Sequence, residues 1–243
     1  MPAIETFSAL AIAHIASDFL LQTRWIALNK RALMPMAVHI GIVGLTSWAA
    51  LGFAAPLAVL ALALSHLAMD VSKTRKMAKT GFSYGLDQGV HFATILAVAL
   101  LVPDAWHRGI WAGSATGLGH WLLAFGIFAM GAVYATRGGL FFVDHLVAPR
   151  PCPACAWRDL DGRAHHAAIV ERAVIFGGLV VAPVLAGLLC VARLAMIMRS
   201  ARPAPDLAGA LGSFLWAVMA GLGTQFILRT LTALDAAQAG YYP

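Results

Sequence analysis

Apolar runs of about 20 residues recur along this chain, and a run of that length is what an α-helix needs to cross a bilayer. They fall at roughly residues 4–21, 34–53, 56–71, 84–102, 118–135, 170–198 and 207–228. Composition agrees: 60% of the residues are hydrophobic and only 12% charged, against about 25% charged in an ordinary soluble domain. The fold class is therefore all-α, a polytopic membrane helical bundle of about seven transmembrane helices with an N-terminal four-helix core.

The runs divide the chain. Residues 1–103 form the four-span core, 104–136 carry a fifth span, and 137–169 read as a cytoplasmic loop. In that loop a short interfacial helix is expected around Phe141–Val147. Residues 170–243 supply two C-terminal spans, the first bent or prolonged at Pro183. No Lys or Arg precedes the first run and no small-residue cleavage site follows it, so it reads as a retained span.

Short-loop Lys and Arg set the orientation. Loop 22–33 holds Arg24, Lys30 and Arg31, and loop 72–83 holds Lys73, Arg75, Lys76 and Lys79. The intervening connections hold nothing basic except Arg108. Loops 22–33 and 72–83 are therefore expected in the cytoplasm and the N-terminus outside. Arg193, Arg199 and Arg202 then fall outside, against the rule.

The net charge of +6 comes from short clusters beside apolar runs, where it meets anionic headgroups. No aromatic platform or continuous basic face accompanies it, so nucleic acid is not an expected partner. The lipid bilayer is. Cys152 and Cys155 have the spacing of half a zinc knuckle or a redox pair, which His165 and His166 could complete. Two thiols in a solvent-side loop are the plainer account, and Cys190 is a small buried hydrophobe.

The chemistry lies in seven polar groups within the first four runs. His14 and Asp18, His66 and Asp70, and Asp87 and His91 are each spaced i, i+4, which puts both members on one helix face. His39 stands alone near the start of the second run. Mapped on the expected topology, all seven lie within a few turns of the cytoplasmic ends, and antiparallel neighbours with short connections bring them to one layer. The outer halves of these runs show no comparable group. Ionisable side chains in hydrocarbon face a bundle interior or a wet cavity and mark a site or a pathway.

Imidazole with carboxylate suits a divalent metal, with zinc, manganese or iron as candidates. The proposed ligands are His14, Asp18, His39, His66, Asp70, Asp87 and His91, enough for two ions or for one ion and its hydrogen-bonded supports. Asp18, Asp70, Asp87 and Lys73 are the candidate catalytic groups: one Asp as base to a metal-bound water, Lys73 beside an anionic substrate. That substrate would be an amphiphilic or phosphate-bearing molecule, and the activity metal-dependent hydrolysis of a phosphoester or lipid-like compound. A His/Asp network also suits a divalent-cation or proton-coupled transporter, and polar groups that only fasten helices suit a membrane scaffold or regulator. Nothing in the sequence fixes the oligomeric state.

The words HIASDFLLQTRWIALNK at His14–Lys30, then His39, HLAMDVSK at His66–Lys73 and DQGVH at Asp87–His91 resemble an uncharacterised prokaryotic membrane family, domain of unknown function 3307. The resemblance covers about residues 7–100. Similarity to longer members continues through Gly138–Phe141, Glu171-Arg172 and Leu211–Ala217. It implies a multi-pass protein of a prokaryotic plasma (inner) membrane and carries no established activity.

Overall fold

The computed structural model describes residues 2–78, 80–113, 118–147, 163–200 and 204–238. Among them every regular element is a helix: α1 (Pro2–Ile15, continuing as a π-helical turn over Ala16–Leu21), α2 (Arg24–Asn29), α3 (Leu33–Ala50), α4 (Pro56–Lys76), α5 (Gly81–Leu101), α6 (Leu118–Val133), α7 (Gly139–Val147), α8 (Arg163–Val181), α9 (Pro183–Arg199) and α10 (Ala204–Gln238). Among the described residues six stretches are long and apolar enough to cross a membrane: Pro2–Leu21, Leu33–Ala50, Pro56–Lys76, Gly81–Leu101, Leu118–Leu146 and Asp206–Leu234. This is a multi-pass membrane protein, and its described residues form an all-α bundle.

Three local expectations change. The fifth span does not stop at Ala135, since a π-helical turn at Tyr134–Gly138 leads directly into α7. The segment expected at the interface therefore prolongs that span to Leu146. Lys73, Arg75 and Lys76 form the last turn of α4 rather than a loop, where cations favour the carbonyl end of a helix.

The third change is larger. Residues 170–198 are two helices folded back on each other, not one bent span. Glu171 and Arg193 form a two-pronged ion pair at 2.8 and 3.0 Å, although a continuous helix would hold them roughly 33 Å apart. A Cβ on Gly178 would lie 3.2 Å from that of Ala186, across the turn. Ala182 leaves helical geometry at φ −136°, ψ 66°, and Pro183 begins the next helix. Proline suits a first helical position because its missing N–H needs no partner there.

The described chain forms two compact units. The first comprises Met1–Met77, Asp87–Met130 and Phe226–Pro243. Its apolar core joins Leu10 of α1, Leu62 of α4, Ile95 of α5, Trp106 of the following loop and Leu123 of α6. The α3–α4 connection is tight: Gly52, Phe53 and Ala55 all take positive φ. At Gly52 a side chain is also excluded by space, since a Cβ would lie 2.6 Å from the Ile110 backbone nitrogen. Loop 102–113 is fastened to the start of α1 by Thr6, whose Oγ1 donates to the Pro103 carbonyl at 2.8 Å and accepts from Trp106 N–H at 3.1 Å.

The second unit comprises Ala78–Leu86 and Gly131–Gln225. It is organised on Trp216, whose indole donates to the Tyr134 carbonyl at 2.8 Å and stacks on Phe142 at 4.8 Å. Tyr84 packs 5.7 Å from the same indole and donates its hydroxyl to the Gly138 carbonyl.

Candidate metal centre

All seven His and Asp groups converge in the first unit. His14, His39, His66, Asp70, Asp87 and His91 are buried, and the Asp18 side chain is 9% exposed. His66 is the hub. Its ring stacks on His91 at 3.9 Å, lies 5.2 Å from His39 and meets His14 edge-on at 5.7 Å. His14 and His91 are 5.1 Å apart, so the pairs contributed by α1 and α5 share one site.

The π-helical turn explains how α1 reaches it. Asp18 lies inside that turn, whose wider i→i+5 spiral shifts the side chains it carries relative to the α-helix before it. Asp18 Oδ2 stays 3.9 Å from His14 Nδ1, one turn back. Its Oδ1 lies 3.4 Å from His39 Nε2 and 3.5 Å from His66 Nε2. No residue pattern in the sequence announces such a turn.

Four atoms then define a compact polyhedron. His39 Nε2 and His66 Nε2 face each other at 3.2 Å. Asp70 Oδ2 lies 3.3 Å from the first and 3.7 Å from the second, and Asp18 Oδ1 sits at the distances above. A tetrahedral ion with bonds of about 2.0–2.1 Å has ligand atoms about 3.3–3.4 Å apart. The five contacts that link each nitrogen to the other and to the two oxygens, at 3.2–3.7 Å, are close to that spacing.

A second group adjoins it. Donor atoms of Asp70, Asp87 and His91 lie within 4.8 Å of one another, as do those of His14, Asp18 and His66. The three triads, with His39, His66 and Asp70 as the third, overlap through His66 and Asp70. Asp87 Oδ1 is 3.3 Å from His91 Nε2, and Gln88 braces the end, with Oε1 3.4 Å from His14 Nε2 and Nε2 donating to Asp87 at 3.3 Å. A cavity of about 10 Å³ opens between His14, His66, His91 and Thr94, room for about one water.

Two lysines connect this buried set to the surface. Lys30 Nζ donates to Asp70 Oδ2 at 2.7 Å, and Lys73 Nζ to Asp87 Oδ2 at 2.5 Å. Their side chains are 12% and 27% exposed, against 3% for each carboxylate. Lys30 arrives because α2 folds loop 22–33 back over the bundle. Thr23 caps that helix by accepting from Ile26 N–H at 3.3 Å, and Arg31 Nε donates to the Thr74 carbonyl on α4. Asn29, which flanks the site in sequence, instead donates to the Trp25 carbonyl.

One expectation about the outer halves fails. Glu5, in the first turn of α1, is 3% exposed. Its Oε1 lies 3.0 Å from His120 Nε2 and its Oε2 2.5 Å from His107 Nε2. A lone Glu at the start of an apolar run reads as an interface residue, which is why this polar cluster escapes sequence inspection. It stands about 13–20 Å along α1 from His14 and Asp18. Cys152 and Cys155 lie outside the described residues, so the thiol motif has no structural account.

Buried His and Asp clusters in a membrane protein thus make a candidate divalent-metal site. No curated protein and no solved structure matches this chain. Residues 6–110, the stretch that supplies all seven groups, match the family described as Protein of unknown function (DUF3307).

Proposed function

We propose that the first unit is an intramembrane divalent-metal centre that hydrolyses a phosphoester of an amphiphilic substrate near the cytoplasmic face. The observation that carries the metal reading is the paired imidazoles: His39 Nε2 and His66 Nε2 at 3.2 Å, with two carboxylate oxygens around them at 3.3–3.7 Å. Asp18 Oδ1 is buried without a hydrogen-bond partner, and a cation held between it and the two imidazoles would supply one, beside the Asp70 oxygen that Lys30 also contacts.

Hydrolysis follows from what surrounds that set. A divalent ion held there would supply a polarised water; Asp87 would take the water's proton as its oxygen bonds to phosphorus and would return that proton to the alcohol that leaves as the ester P–O bond breaks. Lys30 and Lys73, partly exposed above Asp70 and Asp87, supply the positive charge that a phosphate needs at the rim. Asp18 and Asp70 serve as ligands, with His14 and His91 orienting their neighbours.

Elemental analysis of detergent-purified wild type, His66→Ala and Asp87→Ala proteins tests the centre. Stoichiometric metal in wild type and its loss in His66→Ala support it; folded wild type without metal removes it. Headgroup or phosphate release from liposomes by wild type, but not by Asp87→Ala, tests the reaction.

A transporter is the second reading. It is favoured by the Glu5, His107 and His120 cluster at the far end of the helix that carries His14 and Asp18. Buried Ala9, Leu10, Ala11 and Ala13 separate the two polar sets along α1, which counts against a continuous path. Metal-dependent flux into proteoliposomes without any hydrolysis would favour transport.

A further inference from the structure

The second unit buries a guanidinium that its protein neighbours leave half-used. Arg172, on α8, is 1% exposed. Its Nη1 donates to Ser213 Oγ at 2.9 Å, while Nε and Nη2 are sealed from solvent without a hydrogen-bond acceptor. Those two donors form one edge of the guanidinium plane, spaced to grip two oxygens of a single oxyanion. The same hairpin contains that grip completed, in Arg193 Nε and Nη2 on the two oxygens of Glu171 at 2.8 and 3.0 Å.

The side chain is held with its edge fixed. A Cβ on Gly139 would come within 2.7 Å of Arg172 Cδ, 3.1 Å of its Nε and 2.9 Å of Trp216 Cδ1, so the bare glycine is what leaves room there for the arginine and the indole. Of the carboxylates near enough to act on this charge, Glu171 is committed to Arg193, and Asp144 makes no hydrogen bond to the open edge. A charged group buried with donors unmade is strongly disfavoured unless something supplies the acceptors.

We propose that the Nε and Nη2 edge of Arg172 binds a phosphate-type oxyanion, supplied either by the phosphodiester of an anionic lipid headgroup or by free phosphate. The level on α8 fits: Arg163, His165 and His166 lie in its first turns, and the apolar run begins at Ala167. Arg172 stands about 7.5 Å beyond Ala167 along the helix, within reach of the level of lipid phosphates. This assignment is independent of the metal centre.

The test is native mass spectrometry and thermal melting of delipidated protein in detergent, with added phosphatidylglycerol, phosphatidylcholine or sodium phosphate. Wild type should bind phosphatidylglycerol and melt higher with it. Arg172→Lys, which keeps the charge but not the fork, should bind about 10–100-fold more weakly, while Arg199→Gln binds like wild type. Competition by sodium phosphate identifies the free ion as a sufficient ligand; phosphatidylglycerol binding without that competition identifies the lipid. Equal binding by wild type and Arg172→Lys overturns the proposal, as does phosphatidylcholine binding as tightly as phosphatidylglycerol. So does an Asp144→Asn protein whose ligand-free melting falls as far as that of Arg172→Gln, since Asp144 would then fill the edge itself.

Discussion

Removing one imidazole from the facing pair is the sharpest perturbation of the metal centre. With bonds of about 2.05 Å, the separations of 3.2–3.7 Å among His39 Nε2, His66 Nε2, Asp18 Oδ1 and Asp70 Oδ2 correspond to angles of roughly 100–130° at the ion. Four-ligand zinc sites gain about 10–16 kcal/mol on binding, or about 2.5–4 kcal/mol per ligand. His39→Ala should therefore weaken zinc by about 10²–10³-fold. His39 is fully buried, so water replaces its nitrogen only if the cavity opens, which places the expected loss toward the upper end. The assay is chelator competition with apo protein in detergent, with His107→Ala as the control. That residue belongs to the Glu5 cluster and should leave the affinity of the inner site unchanged. If His39→Ala and His66→Ala both bind zinc within about threefold of wild type, the four atoms are not its ligands and the geometric argument fails.

Other perturbations probe the scaffold. Lys73→Met strands Asp87 with only Gln88 and His91 beside it, and should lower stability by about 1–3 kcal/mol; Asp87→Asn in the same chain should restore part of it, read as melting temperature in detergent. Gly52→Ala places a Cβ against the Ile110 nitrogen at a φ of +60° and should cost about 1–3 kcal/mol, measured the same way. In a chain with Cys152, Cys155 and Cys190 changed to Ser, the pair Gly178→Cys and Ala186→Cys should form a disulfide on oxidation, seen as a 2 Da loss on intact mass. A straight helix would keep those positions about 12 Å apart and leave both thiols free.

The convergence of the seven groups was legible because i, i+4 spacing and a shared end of the helix are properties of position alone. His14, His66 and His91 could be placed in one layer without knowing a single side-chain torsion. The partners that complete the layer were less accessible. Lys30 reaches Asp70 only because α2 turns loop 22–33 back on the bundle, and that depends on a cap at Thr23 and a contact from Arg31. Asp18 is aimed by a π-helical turn that no local residue pattern marks. Pro183 was visible as an interruption, but proline begins a helix as readily as it kinks one, so the reversal at Ala182 could not be told from a bend. The reversal also bears on the orientation expected from the basic residues, because Arg199 lies at the same end of the hairpin as Arg163.

That reversal has a consequence for parity. A hairpin leaves by the face through which it came in, whether or not its tip at Ala182 and Pro183 reaches the far headgroups. If all six apolar stretches among the described residues cross, five precede the hairpin and one follows it, an even number, and residues 2 and 238 would then finish in the same compartment. A single bent rod over 170–198 would have made the number odd and separated them.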